Sequence, residues 1–167
     1  MTLRLATDAD QEFLRDVFVA SRETEVAALA AEPEQLAVFI DMQFHIQQQN
    51  YQARYPAAEN SIIAADGQPI GRMLVDRSAE AIELIDIALM AQWRNRGIGS
   101  SLVSGLTAEA AGQSKPVRLE VLRTNPARRL YERLGFIRSS EDSMYVQMRW
   151  EPAAAANVTE PQPGKGN

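Results

Sequence analysis

Six residues, Arg94-Asn95-Arg96-Gly97-Ile98-Gly99, carry the first chemistry legible in this chain. Glycines between a strand-like and a helix-like run let backbone N–H groups come close to an anion. The start of the helix adds its partial positive charge. Arg94 and Arg96 can supply charge-assisted bonds to phosphate oxygens. The turn has neither the Gly-x-x-x-x-Gly-Lys-Ser/Thr spacing of a P-loop nor the three glycines of a dinucleotide fingerprint. A plain tight turn would use the same glycines, so the motif by itself leaves both readings open and points, if to a ligand, to another phosphate-bearing one.

The second group is Asn125-Pro126-Ala127-Arg128-Arg129-Leu130-Tyr131-Glu132-Arg133-Leu134-Gly135-Phe136, a strand end followed by a short helix. Tyr131 is either a core aromatic or a phenol with a proton to donate. Upstream, Glu83 and Asp86 interrupt an otherwise apolar run and are the candidate bases. Three residues apart, they face opposite sides of a regular strand. A bulge between them would reverse that. Each also has a structural use as a strand-edge salt bridge.

Composition narrows the chemistry. The 167 residues suit one domain, since domains run to roughly 100–200 residues. With no Cys, disulfides, thiolate metal sites and a Cys nucleophile are excluded. His45 is the one imidazole, so no metal is expected and a Ser-His-Asp hydrolase would rest on it alone. No apolar run approaches the ~20 residues of a membrane span. The N-terminus turns polar at Asp8-Ala9-Asp10 without a secretory signal, so a cytoplasmic protein is expected. A net charge of -5 argues against nucleic acid as a partner. Yet Arg94, Arg96, Arg118, Arg123, Arg128, Arg129 and Arg133 crowd together, which marks a local anion site in an acidic chain.

The elements that must position these groups follow from periodicity. Leu3-Arg4-Leu5 alternates as a short strand. Thr7 or Asp8 can cap a helix through Phe13, Leu14, Val17 and Phe18. A second helix follows Glu32-Pro33 and stops before Tyr55-Pro56. Ser61–Ala65 and Ile70–Val75 flank the hairpin signal Asp66-Gly67. Ile82–Met90 reads as a central strand covered on both faces. A helix from Ile98 lapses at Gly112, then come strand Val117–Leu122, helix Pro126–Leu134, and a closing hairpin of Phe136-Ile137 with Met144–Trp150. The order is β-α-α-β-β-β-α-β-α-β-β. One domain is expected over 1–150, with a disordered tail at 151–167 that is rich in Ala, Pro and Gly.

Taken together, the two motifs resemble the GNAT (GCN5-related N-acetyltransferase) superfamily. Its Gln/Arg-x-x-Gly-x-Gly/Ala hallmark stands here as Arg94-Asn95-Arg96-Gly97-Ile98-Gly99, and its Asn…Ala…Tyr…Gly-Phe pattern as Asn125, Ala127, Tyr131, Gly135 and Phe136. The resemblance covers residues 2–150 in element order and is most specific over 82–136. It implies an α/β (α+β) fold: a central mixed, mostly antiparallel sheet of about 6–7 strands with about four helices. It implies acetyl transfer from acetyl-CoA to a primary amine, without a metal, directly in a ternary complex. The implied cofactor contacts are Arg94, Asn95, Arg96, Gly97, Ile98, Gly99 and Ser100 at the pyrophosphate. Backbone groups of Leu89 and Met90 would hold the pantetheine arm, with Asn125 and Arg128 on its other side. Tyr131 takes the role of general acid, and Glu83 is the first candidate base with Asp86 its rival.

The acceptor amine is not specified. Gln43, Phe44, Gln47, Tyr51 and Tyr55 form a polar-aromatic set along the second helix that either lines the acceptor site or packs on the sheet. Small amines, peptide N-termini, lysine side chains and aminoglycosides remain open, as does a homodimer. The competing reading is a non-catalytic module that binds CoA or a protein partner.

Overall fold

The Asp66-Gly67 turn has positive φ at both residues, 50° and 78°, as a tight two-residue hairpin requires. A computed structural model describes residues 1–29 and 32–153. Its elements run β1 (Thr2–Leu5), a short 3-10 turn (Asp8–Asp10), α1 (Gln11–Ser21), α2 (Glu23–Ala28), α3 (Pro33–Arg54), β2 (Glu59–Ala65) and β3 (Gln68–Arg77). Then follow β4 (Ile82–Leu89), a second 3-10 turn (Ala91–Trp93), α4 (Ile98–Gly112), β5 (Val117–Leu122), α5 (Ala127–Arg133), β6 (Ile137–Glu141) and β7 (Tyr145–Trp150). From residue 154 the expected tail lies outside the described residues; 151–153 carry no regular structure.

The seven strands form one sheet in the order β1-β2-β3-β4-β5-β7-β6, antiparallel throughout except between β4 and β5. This is the mixed, mostly antiparallel sheet expected from the sequence. The one helix not anticipated is α2. It buries no residue, so its sequence has no apolar period to detect.

One face of the sheet packs on α4, whose Leu102, Val103, Leu106 and Ala110 meet Ile82, Leu84, Val117 and Leu119. The other face carries α1, through Leu14, Val17 and Phe18, and α3 through Ile40. Among the described residues no helix is long and apolar enough to cross a membrane.

The register of β4 is broken once. Leu74 pairs with Asp86 but the next residue, Val75, pairs with Leu84, so Ile85 is an extra residue. That bulge shifts the alternation by one. Ile82 and Leu84 before it, and Ile87 and Leu89 after it, all pack on the α4 side. Glu83 and Asp86 therefore share the opposite face, against the regular-strand expectation. The second irregularity is the brevity of the β4–β5 ladder. Only Ile82, Glu83 and Leu84 pair with Val117, Arg118 and Leu119, and beyond them the strands part.

Gly71 faces Leu89 at the parted end. A Cβ there would lie 2.4 Å from the Ala88 carbonyl oxygen and 2.7 Å from the Leu89 side chain. Gly71→Ala is predicted to cost about 1–3 kcal/mol by overpacking. Gly105→Ala, inside α4 where a Cβ meets no atom, should gain about 0.5–1 kcal/mol of helix stability. Urea midpoints should move in opposite directions at unchanged slope; a shift of the same sign for both would contradict this packing.

Candidate active site

After β4 the chain turns twice through left-handed conformations, at Asn95 (φ 57°) and Gly97 (φ 77°), before entering α4. Successive turns of this kind aim backbone N–H groups into one concavity. No side chain caps α4, and the N–H groups of Ile98, Gly99 and Ser100 have no acceptor among the described residues. A Cβ built on Gly97 or Gly99 meets nothing within 4 Å, so the space above the turn is open. Arg96 lies over the Trp93 ring at 5.1 Å with no carboxylate partner among the described residues. Orphan donors, helix start and free guanidinium together fit a pyrophosphate.

Arg94 already has protein partners. Its Nε donates to the Leu89 carbonyl (3.0 Å) and its Nη2 to the Ala20 carbonyl (2.7 Å). The guanidinium thus clamps the end of β4 to the end of α1 with two of its five N–H donors, so it stands beside the turn with its position already set.

The expected pantetheine contacts divide between Leu89 and Met90. Met90 N–H already donates to the Ile70 carbonyl (2.9 Å), and the Leu89 carbonyl is held by Arg94. Antiparallel ladders alternate the direction of their backbone groups. With Met90 bonded toward β3, Leu89 N–H and the Ile87 carbonyl point toward β5, where no strand is paired. These are the groups a ligand amide can meet. Across the gap, Asn125 Oδ1 caps α5 by accepting from Ala127 N–H (2.9 Å). Arg128 donates to the Arg123 carbonyl (2.9 Å), while its buried Nε has no partner.

Tyr131, on α5, is 6% exposed and stacks at 59° on Phe136. Burial pushes its phenol up to about 12, with the Asp86 charge adding to the shift. It is therefore protonated throughout the neutral range. Asp86 sits on the opposite face of the sheet, yet its charge reaches Tyr131 where β4 and β5 part. Burial raises the Asp86 carboxyl above the usual carboxylate range; Arg72, the Ile87 N–H and Arg22 oppose that rise. Arg72 lies 3.6 Å from Asp86, is 2% exposed, donates to Asn60 Oδ1 (3.0 Å) and lies over the Tyr51 ring.

Arg72 escaped the sequence reading. Its signal was a lone cation in the apolar run Ile70–Val75. Glu83, the first-choice base, lies where β4 and β5 are still paired, and forms an ion pair with Arg118 at 3.6 Å. Burial raises its carboxyl while Arg118 lowers it.

The set on α3 divides. Tyr51 lies beside Arg72 and Asp86, and burial, followed by the Asp86 charge, raises its phenol well beyond the ordinary range. Gln47 is half-buried on the same helix face. Phe44 packs on Phe18 with ring centroids 5.5 Å apart. Gln43 lines a cavity of about 150 Å³ between α1, α2 and α3. His45 points outward and bonds Gln49 (2.9 Å).

Residues 57–138 match the family model described as an acetyltransferase (GNAT) domain. The chain belongs to the GNAT superfamily, whose members are acyltransferases with acetyl-CoA as donor. Its fold is similar to that of PaiA N-acetyltransferase from Thermoplasma acidophilum in complex with coenzyme A. That match has TM-score 0.68 and 20% identity, over 90% of this chain and 98% of the other. A histone acetyltransferase HPA2-related protein from Corynebacterium glutamicum matches at TM-score 0.64 and 24% identity, over 93% and 98%. A GNAT family acetyltransferase from Elizabethkingia anophelis with acetyl-CoA bound matches at 0.59 and 13%, over 90% and 97%. No curated protein matches the sequence.

The open space at Gly99 yields a test. Gly99→Ala should raise the Kd for acetyl-CoA ~10-fold or more, because a backbone that must approach a pyrophosphate has no room for a methyl group. The melting temperature should not fall, since that Cβ meets no protein atom. Unchanged affinity by calorimetry would move the phosphate site elsewhere.

Proposed function

We propose that this chain moves the acetyl group of acetyl-CoA onto a primary amine by direct attack within a ternary complex, with Tyr131 as general acid. The observation that carries the reading is the gap between β4 and β5, with a raised carboxylate on one face and a buried phenol on the other. A module that only binds CoA needs the glycine turn but neither of these groups.

An acceptor amine with pKa ~10 arrives as ammonium and must lose a proton before it can attack. Asp86, directly or through a water, accepts it. A carboxyl group lifted above its usual range is the stronger base for this purpose. Burial raises the Glu83 carboxyl as well, and Arg118 stands as far from it as Arg72 does from Asp86; Glu83 is the less suited candidate because it lies where the strands are still closed. The amine nitrogen then bonds to the thioester carbon, and the carbonyl oxygen takes up negative charge. Leu89 N–H, unpaired and directed into the gap, is the donor we assign to that oxyanion. On collapse the C–S bond breaks, Tyr131 gives its proton to the sulfur, the second proton shed by nitrogen returns through solvent to the phenolate, and Asp86 releases the first to solvent. A free thiol has pKa ~8.5, well below that of Tyr131. The burial that raises the phenol also raises the proton affinity of a thiolate formed beside it.

Tyr131→Phe should lower kcat by ~10²-fold or more and change acetyl-CoA affinity by less than about 2-fold. Wild-type turnover would sink the assignment. Asp86 must be ionised to act, so kcat/KM should fall with acidification through its raised pKa, above the ~3.9 of a free Asp. Asp86→Asn should abolish that acidic limb as well as most of the rate; a limb that survives would move the base to Glu83 or to water. Initial-rate plots against both substrates should intersect, since a chain without Cys has no thiol to carry the acetyl group. Parallel lines would contradict direct transfer.

A further inference from the structure

Arg22 is a cation that the proposed reaction leaves unused. It follows α1 directly, is half-buried, and lies 4.4 Å above the centre of the Phe18 ring. Among the described residues it has no carboxylate partner and its guanidinium donates to no carbonyl. A guanidinium carries five donors in a fixed fork, and a partly buried one with no acceptor is set for a planar anion.

Its position is fixed from the cofactor side. Arg94 holds the carbonyl of Ala20, two residues before Arg22, and the carbonyl of Leu89, three residues after Asp86. The end of α1 is thereby pinned to the part of β4 that leaves the sheet. In keeping with this, the Arg22 charge acts on both Asp86 and Tyr51. On its other side Arg22 borders the cavity of about 150 Å³, whose walls include Phe18, Val26, Leu29, Phe39 and Ile40. Glu25 also borders that cavity without pairing with Arg22.

Three features thus share one side of the sheet: a carboxylate at the reacting end, an unpaired guanidinium at the end of α1 that Arg94 pins to β4, and a largely apolar cavity that this guanidinium borders. We infer that the acceptor is a free amino acid with an apolar side chain. Its amine lies at Asp86, its carboxylate at Arg22, and its side chain in the cavity between α1, α2 and α3. This rests on the proposed acetyl transfer and names its acceptor class. A polyamine fits poorly, because Asp86 is already paired with Arg72 and Arg22 adds a second positive charge nearby. A lysine side chain within a protein brings no carboxylate to Arg22.

The test compares leucine, leucinamide, isopentylamine, glycine and spermidine in an acetyl-CoA assay read by thiol release. Leucine should exceed isopentylamine and leucinamide in kcat/KM by ~10- to 100-fold, the range expected of a charge-assisted bond. It should also exceed glycine, which cannot fill the cavity. In Arg22→Gln the leucine-to-isopentylamine ratio should collapse toward one through KM, and Arg22→Lys should keep part of it. A wild-type ratio near one, a preference for spermidine, or equal loss of both acceptors in Arg22→Gln would each overturn the assignment.

If no acceptor releases thiol, the acetyl-transfer reading fails separately. Calorimetric titration of leucine and isopentylamine into the CoA-loaded protein then decides on Arg22 alone. Leucine binding that Arg22→Gln weakens ~10-fold or more supports the site, and absence of leucine binding overturns it.

Discussion

Everything at this site depends on a parallel strand pair that stays together for only three residues. Ile82–Leu84 and Val117–Leu119 hold β4 to β5, and the strands then separate. Separation leaves the backbone of β4 without its lateral partner, and unpaired backbone groups are costly unless water or a ligand satisfies them. The gap thus offers these groups to water or to an extended ligand with amides of its own. The extra residue at Ile85 does the rest. By shifting the alternation it keeps Ile87 and Leu89 packed on the α4 core while Asp86 joins Glu83 on the other face. One inserted residue thus sets a carboxylate across the gap from Tyr131.

The parted end would be weak without compensation, and two arginines provide it. Arg94 replaces a strand partner by donating to the Leu89 carbonyl, and with the same guanidinium it secures the Ala20 carbonyl on α1. The first residue of the glycine motif therefore helps build the site, beside the open backbone N–H groups of the turn and Arg96. Arg72 is the counterpart under Asp86. A carboxylate buried alone would take up a proton, whereas with Arg72 at 3.6 Å it can stay charged while burial still raises its pKa. Removing one member of such a pair leaves the other uncompensated, which typically costs ~3–5 kcal/mol.

Much of this architecture was legible in the sequence, because the relevant signals are local. Hydrophobic periodicity marks β4, α4 and β5, and Asp66-Gly67 marks the hairpin. The glycine turn and Tyr131 stand in motifs whose spacing a fold must preserve. What was not legible is long-range pairing. Arg94 carries the composition of a phosphate ligand, and only the folded chain reveals that Ala20 and Leu89 occupy it. Whether Glu83 and Asp86 share a face turns on one bulge, which propensity does not register. Arg72 and Arg22 became functional candidates only once their neighbours were known, and α2 buries nothing that a pattern could detect.

The most direct test of this account is backbone amide exchange with and without acetyl-CoA. The amides of Leu89, Ile98, Gly99 and Ser100 are unpaired in the free protein and should exchange quickly. Saturating acetyl-CoA should slow them ~10-fold or more while the paired amides of the β2–β3 hairpin stay unchanged, since those pairs are already in place without the ligand. Protection absent from these four amides, or confined to the α1–α3 face, would mean that the gap between β4 and β5 does not hold the acetyl donor.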